Sequence, residues 1–278
     1  MNNCEIETIA KKINILTDNN PLTYLEKKSI WFSESFVSDG NKNKYPYFDY
    51  RYKDFFFDTR IKKIDKEVGL KFIVNHSLND PTKDMELIAK WIIKTWGGIK
   101  GIKDSTVKNI VKNIDNYEYP FKNISSWSKV HSFKNINNDI IYDSKVIYSL
   151  NWLLLQLDGD DKFFLQPEGR NKRLSAFPIN AIINFKYTDL IDMNKRGNKA
   201  IEKVYINENE VYKKYRKLII ELNRTLWNDE YIDLTNLIGE KIYLKNYPFF
   251  TELLLFNMAD DVVVDDVRKN ISILFKKD

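Results

Sequence analysis

The chain reads as a mainly α protein of helical lobes, with little or no sheet. Three observations carry this. Only 9 glycines and 7 prolines occur in 278 residues, which suits long helices better than a turn-rich β protein. Apolar residues recur at helical spacing in one segment after another. No internal repeat or low-complexity tract interrupts them. With 43% hydrophobic and 30% charged residues, the composition is globular, and the chain is long enough to bury a large core.

The elements follow in order. Residues 5–16 form an amphipathic helix with Ile6, Ile9, Ile13 and Leu16 near one face. Residues 31–58 hold an aromatic cluster without a clear period: Tyr45, Tyr47, Phe48, Tyr50, Tyr52, Phe55, Phe56 and Phe57. Interleaved with Arg51, Lys53 and Arg60, it either packs one lobe on another or stacks bases. The spacing over 81–96 predicts the clearest helix. Asp80 is its cap, Pro81 its first residue and Gly97-Gly98 its stop, with Met85, Ile88, Trp91, Ile92 and Trp96 as the apolar stripe. Residues 105–114 give the next helix, capped by Asp104, with Val107, Ile110, Val111 and Ile114 inward. Pro120 breaks the chain. A short helix over 126–133 follows, then a strongly apolar one over 144–157.

The acidic loop Asp158-Gly159-Asp160-Asp161 marks a lobe boundary, so three parts are expected: 1–80, 81–157 and 158–278. Residues 180–187 fit a strand or a buried helix equally well. Residues 209–227, 249–258 and 264–275 are helical by pattern.

Composition also excludes chemistries. One cysteine, Cys4, allows no internal disulfide, and with two histidines no ordinary zinc or iron–sulfur site. A reducing cytoplasm is expected. Glu5 and Glu7 near the start argue against a signal peptide, and no apolar run approaches the ~20 residues of a membrane span. The acids Asp260, Asp261, Asp265 and Asp266 flank an apolar Val262-Val263-Val264, a weak pattern for a two-metal site. No metal or organic cofactor is expected, and no phosphate-binding glycine motif is present.

Charge is unevenly spread. Between residues 90 and 134 stand nine lysines (90, 94, 100, 103, 108, 112, 122, 129 and 134) against Asp104, Asp115 and Glu118. That stretch is +6 in a chain of net +5. Either it meets a phosphate backbone, through Lys100, Lys103 and Lys108 above all, or it is a set of solvated helix faces. Arg170, Asn171 and Arg173 form a second basic loop after the long helix, fit for phosphate contact or for ordinary solvation.

The stretch richest in chemistry is Ile124–Leu157. Ser125-Ser126-Trp127-Ser128-Lys129-Val130 places a lysine, and Ile141-Tyr142-Asp143-Ser144-Lys145-Val146 places an aspartate at the mouth of an apolar helix. On these residues the segment resembles the helix-hairpin-helix DNA glycosylase superfamily, a divergent branch of the kind that attacks modified phage DNA. In that family a hairpin precedes the helix that carries the lysine of bifunctional members, and a later turn supplies a catalytic aspartate. The resemblance implies a two-lobed helical glycosylase fold, with Asp143 and Lys129 as the catalytic pair and Ser126, Trp127, Ser128 and Lys145 on the DNA backbone. It also implies Tyr142, Trp96 and Trp152 around a flipped base. A carboxylate near C1′ would stabilise an oxocarbenium-like transition state, and a neutral lysine would attack C1′. The partner implied is double-stranded DNA, bound by a monomer. Plainer roles remain open: Asp143 as a helix cap, Lys129 as a surface lysine, and Trp127 and Trp152 as core. A non-catalytic nucleic-acid-binding subunit of a defence or repair assembly is the rival function.

Overall fold

The computed structural model describes residues 2–29, 52–115, 120–157, 162–167, 171–187 and 204–271. Tyr45, Tyr47, Phe48, Tyr50, Arg51, Arg170 and the acidic loop at 158–161 lie outside them. The described chain is mainly helical, with one small hairpin. No helix among the described residues is long and apolar enough to cross a membrane.

The first helix, Asn3–Leu16, opens on a capping box. The Asn2 side chain accepts from the Glu5 N–H, and the Glu5 carboxylate accepts from the Asn2 N–H. Its apolar stripe packs on the Glu208–Leu226 helix, so the two ends of the chain share one core. That core is contiguous, running from Ile6 to Val267. At its centre lies the Ser144–Leu155 helix. Every residue from Val146 to Leu155 is buried, because helices press on it from all sides, Phe249–Met258 most extensively. The Lys63–Asn79 and Ile124–Lys134 helices pack on each other beside it.

Several local expectations shift. The helix expected from Pro81 begins at Met85. Its cap is Asp84, whose side chain accepts from the Leu87 N–H, while Asp80 instead closes a turn onto Thr82. It ends in a π-helical turn, Ile92–Trp96, before Gly97. Asp104 is the first residue of the Asp104–Lys112 helix rather than its cap, and it pairs with Lys90 and Lys94. Residues 180–187 resolve as helix, Ile179–Lys186. The last described helix stops at Asn270, and residues 272–275 of the helix expected over 264–275 lie outside the described residues.

Two elements were not anticipated. Tyr231–Leu234 and Glu240–Tyr243 form an antiparallel hairpin, with Ile232 opposite Ile242; its chain reversal uses Gly239 at φ +82°. Lys63–Asn79 is a 17-residue helix whose buried positions include Lys66, Gly69, Lys71 and Ser77, so no clean apolar stripe betrays it. It supplies Glu67, Val68, Leu70 and Lys71 to the cavity described next.

Candidate functional site

Asp143 stands at the N-cap of the central helix. Its Oδ1 accepts from the Lys145 N–H at 2.9 Å. Lys129 lies mid-way along Ile124–Lys134, its Nζ 3.4 Å from Asp143 Oδ2. Serines lock this arrangement. Ser128 Oγ accepts from the Tyr142 N–H at 3.0 Å, and Ser125 Oγ donates to the Tyr142 carbonyl at 2.9 Å. The extended approach to Asp143 is thereby stitched to the lysine-bearing helix. Both charges are largely withdrawn from water: the Lys129 side chain is 8% exposed and that of Asp143 22%.

Gly97 makes room for the lysine. A Cβ at that position would lie 2.7 Å from Lys129 Cδ and 2.8 Å from the Ile92 carbonyl oxygen. The π-helical turn just before it brings Trp96 edge-on to Phe133, with centroids 4.8 Å apart.

The pair opens on a cavity of about 360 Å³. This volume is in the usual range of small-molecule sites. Trp96, Phe133, Phe249 and Phe256 give it aromatic walls, and Lys145 joins Lys129 and Asp143 on its polar side. Lys145 Nζ sits 4.5 Å from the Phe256 ring centroid and 2.7 Å from Asp260. A second polar group, Glu67, Lys71 and Glu252, lines the same cavity. Lys71 Nζ lies between the Phe133 and Phe249 rings, 4.9 and 4.7 Å from their centroids, and 3.4 Å from Ser132 Oγ. Burial lowers its pKa, against the pull of Glu252 and Glu67. Glu252 accepts from the Ile141 N–H at 2.9 Å, and burial raises its carboxyl pKa despite Lys71.

The predicted site residues separate into those the fold gathers and those it does not. Lys129, Asp143, Lys145 and Trp96 meet at the cavity. Ser126, Trp127 and Ser128, expected on a phosphate-binding hairpin, lie within a continuous helix and are buried. Ser128 is occupied by Tyr142, and Trp127 Nε1 donates to the Pro120 carbonyl. The stretch is interior because the helix is covered by its neighbours on almost every face. Tyr142 and Trp152 are buried outside the cavity lining. The Tyr142 hydroxyl donates to the Leu165 carbonyl, and Trp152 Nε1 donates to Asp266. Lys100, Lys103 and Lys108 are exposed, on the loop after Gly98 and on the Asp104–Lys112 helix. Asn171 donates to Asp260, and Arg173 pairs with Asp265 at 3.4 Å.

Glu67, Lys71, Glu252 and Gly97 were missed from sequence. A signal existed for the first two: Glu67 and Lys71 stand four residues apart, one at the edge of and one inside the otherwise uncharged run Val68-Gly69-Leu70-Lys71-Phe72-Ile73-Val74, where charge is out of place. No protein-family model, curated protein or solved structure matches the chain.

Proposed function

We propose that the protein is a DNA N-glycosylase that flips a base out of the duplex and releases it at the Lys129–Asp143 pair. One observation supports this above all: a lysine and an aspartate 14 residues apart converge to 3.4 Å at the wall of an aromatic cavity. In the proposed reaction the C1′–N bond breaks and its electron pair leaves with the base. The Asp143 carboxylate faces the positive charge growing on the sugar and takes a proton from the water that adds to C1′. The departing base takes up a proton in turn, so charge balances. Lys129 holds Asp143 in place, and attack by its amine on C1′ is the bifunctional variant of the same scheme. Trp96, Phe133 and Phe256 offer apolar surface to a flat base, which offsets the loss of stacking in the duplex. No metal or organic cofactor enters this scheme.

The test is an abasic-site assay on a panel of normal, damaged and phage-modified duplexes. Base release by the wild type and its loss in Asp143→Asn are expected, and no release from any duplex would sink the proposal. Borohydride trapping of a covalent adduct that Lys129→Ala loses would assign the bifunctional variant. A second reading, a non-catalytic DNA-binding subunit, draws on the exposed Lys100, Lys103 and Lys108. Salt-dependent DNA binding without base release would favour it.

A further inference from the structure

Asp143 is delivered to Lys129 by a stretch of chain that belongs to no regular element. Residues 140–142 are buried and lie in neither helix nor strand. Buried backbone of this kind has to find side-chain partners. It finds them on three helices, Ile124–Lys134, Glu208–Leu226 and Phe249–Met258. The Tyr212 hydroxyl accepts from the Ile140 N–H at 3.4 Å and donates to the Ile140 carbonyl at 3.0 Å. The Tyr215 hydroxyl donates to the Ile141 carbonyl at 2.7 Å, and the Glu252 carboxylate accepts from the Ile141 N–H at 2.9 Å. Ser125 and Ser128 take the two backbone groups of Tyr142.

The proposed chemistry leaves Glu252 without a role. We infer that Glu252 is a positioning residue for the Lys129–Asp143 pair: by holding the Ile141 N–H it fixes the segment that brings the Asp143 carboxylate to the lysine. The inference rests on the glycosylase reading for the chemistry that the pair performs. Three observations carry it. First, the bond falls two residues before Asp143 and on the same side of the chain. Ile141 and Asp143 line the cavity and the intervening Tyr142 does not, the alternation of an extended chain. Second, the contact it protects has little slack. Lys129 Nζ and Asp143 Oδ2 stand 3.4 Å apart, so a shift of about 0.5 Å would take them beyond hydrogen-bond reach. Third, water cannot stand in for the carboxylate, because Glu252 is 6% exposed and Ile141 is buried. Without Glu252 the Ile141 N–H is stranded, and any turn of its peptide towards a new acceptor moves Asp143. Glu252 also stands on the helix that gives Phe249 and Phe256 to the cavity wall, so one element sets both the wall and the carboxylate.

The experiment reads the coupling between Lys129 and Asp143 in the full chain. Urea unfolding of a parent, its Lys129→Met and Asp143→Asn variants and the double variant gives that coupling, with wild type, Glu252→Gln, Glu252→Asp and Glu252→Met as parents. Glutamine keeps an acceptor at the same reach, aspartate is one methylene shorter, and methionine has the length without the oxygen. Coupling is expected in the wild type and in Glu252→Gln, and its loss in Glu252→Asp and Glu252→Met. A merely structural Glu252 would lower the stability of every member of a cycle alike and leave the coupling as it was. Should Glu252→Met fail to fold by circular dichroism, Glu252→Asp and Glu252→Gln decide the matter. Coupling retained in Glu252→Asp, coupling lost in Glu252→Gln, or no coupling in the wild type would each overturn the inference. Single-turnover base release adds the chemical readout. Glu252→Asp should slow it by about 10²-fold at unchanged DNA affinity, as a misplacement of about 1 Å does, and Glu252→Gln should recover most of that loss. A wild-type rate in Glu252→Asp would overturn the inference. Loss of coupling in Glu252→Asp, with no base release from any duplex by the wild type, would keep the positioning role and overturn the glycosylase reading.

Discussion

Asp143 carries two loads on two oxygens: one caps the central helix and the other faces Lys129. Substitutions separate them. Asp143→Asn keeps a good cap but leaves the lysine charge, 8% exposed, without its anion. A loss of about 2 kcal/mol is expected, against about 3 kcal/mol for Asp143→Ala, which removes the cap as well. Adding Lys129→Met to Asp143→Asn should recover most of the first loss, because the stranded charge is gone. Urea unfolding of the wild type and these variants checks this; a double variant no more stable than Asp143→Asn would show that the pair is energetically idle. Gly97 gives a sharper test of positioning. Gly97→Ala should destabilise the protein by about 1–3 kcal/mol, since the methyl group meets both the Ile92 carbonyl and the Lys129 stem. Under the proposed function it should also slow base release more than it weakens DNA binding. Equal effects on both, with unchanged stability, would mean that the close approach at Gly97 is not what seats Lys129.

At the scale of elements, the helices with one apolar stripe were legible and those without were not. Asn3–Leu16, Asp104–Lys112 and Glu208–Leu226 show their periods because one face is wet. In Lys63–Asn79 the buried positions carry Lys66, Lys71 and Ser77 among the apolar ones, so its pattern averages out, and with it went Glu67 and Lys71. The four-residue strands of the hairpin are too short for alternation to stand out, although Gly239 sits where a turn needs it. The lysine–aspartate juxtaposition was foreseen by resemblance, whereas the hairpin placed before it was wrong: those serines serve the fold. The basic stretch also reads differently once folded. Lys90 and Lys94 both reach Asp104 at 3.0 Å, and Lys129 is interior. The lysines left exposed include Lys100, Lys103 and Lys108. Replacing these three by Glu should reduce the slope of log affinity against log salt by about 0.9 for each phosphate that is no longer neutralised. Fluorescence anisotropy on a short duplex measures it. An unchanged slope would remove this loop and helix as the DNA-binding face.

The molecule as a whole is tied together by the acidic segment near its end, and this gives the segment a use that sequence did not suggest. Asp260 pairs with Lys145 at 2.7 Å and accepts from Asn171. Asp261 pairs with Lys28 at 2.7 Å and accepts from the Tyr24 hydroxyl. Asp266 accepts from Trp152 Nε1 at 2.8 Å and pairs with Lys12 at 3.4 Å. The acids are therefore spoken for by cations and donors from the first two helices, from the central helix and from the loop after it. These bonds rim an apolar core that is continuous from Ile6 to Val267. A core with no seam among the described residues offers no place to come apart in stages. Urea unfolding should accordingly show one transition, with coincident midpoints by tryptophan fluorescence and far-ultraviolet circular dichroism. Asp266→Ala strands the buried indole N–H of Trp152 and should lower the common midpoint, at a cost of about 1–3 kcal/mol, without splitting it. Two separated midpoints in the wild type would show that the core is not cooperative. A split appearing only in Asp266→Ala would identify the acidic segment as the clasp that makes it so.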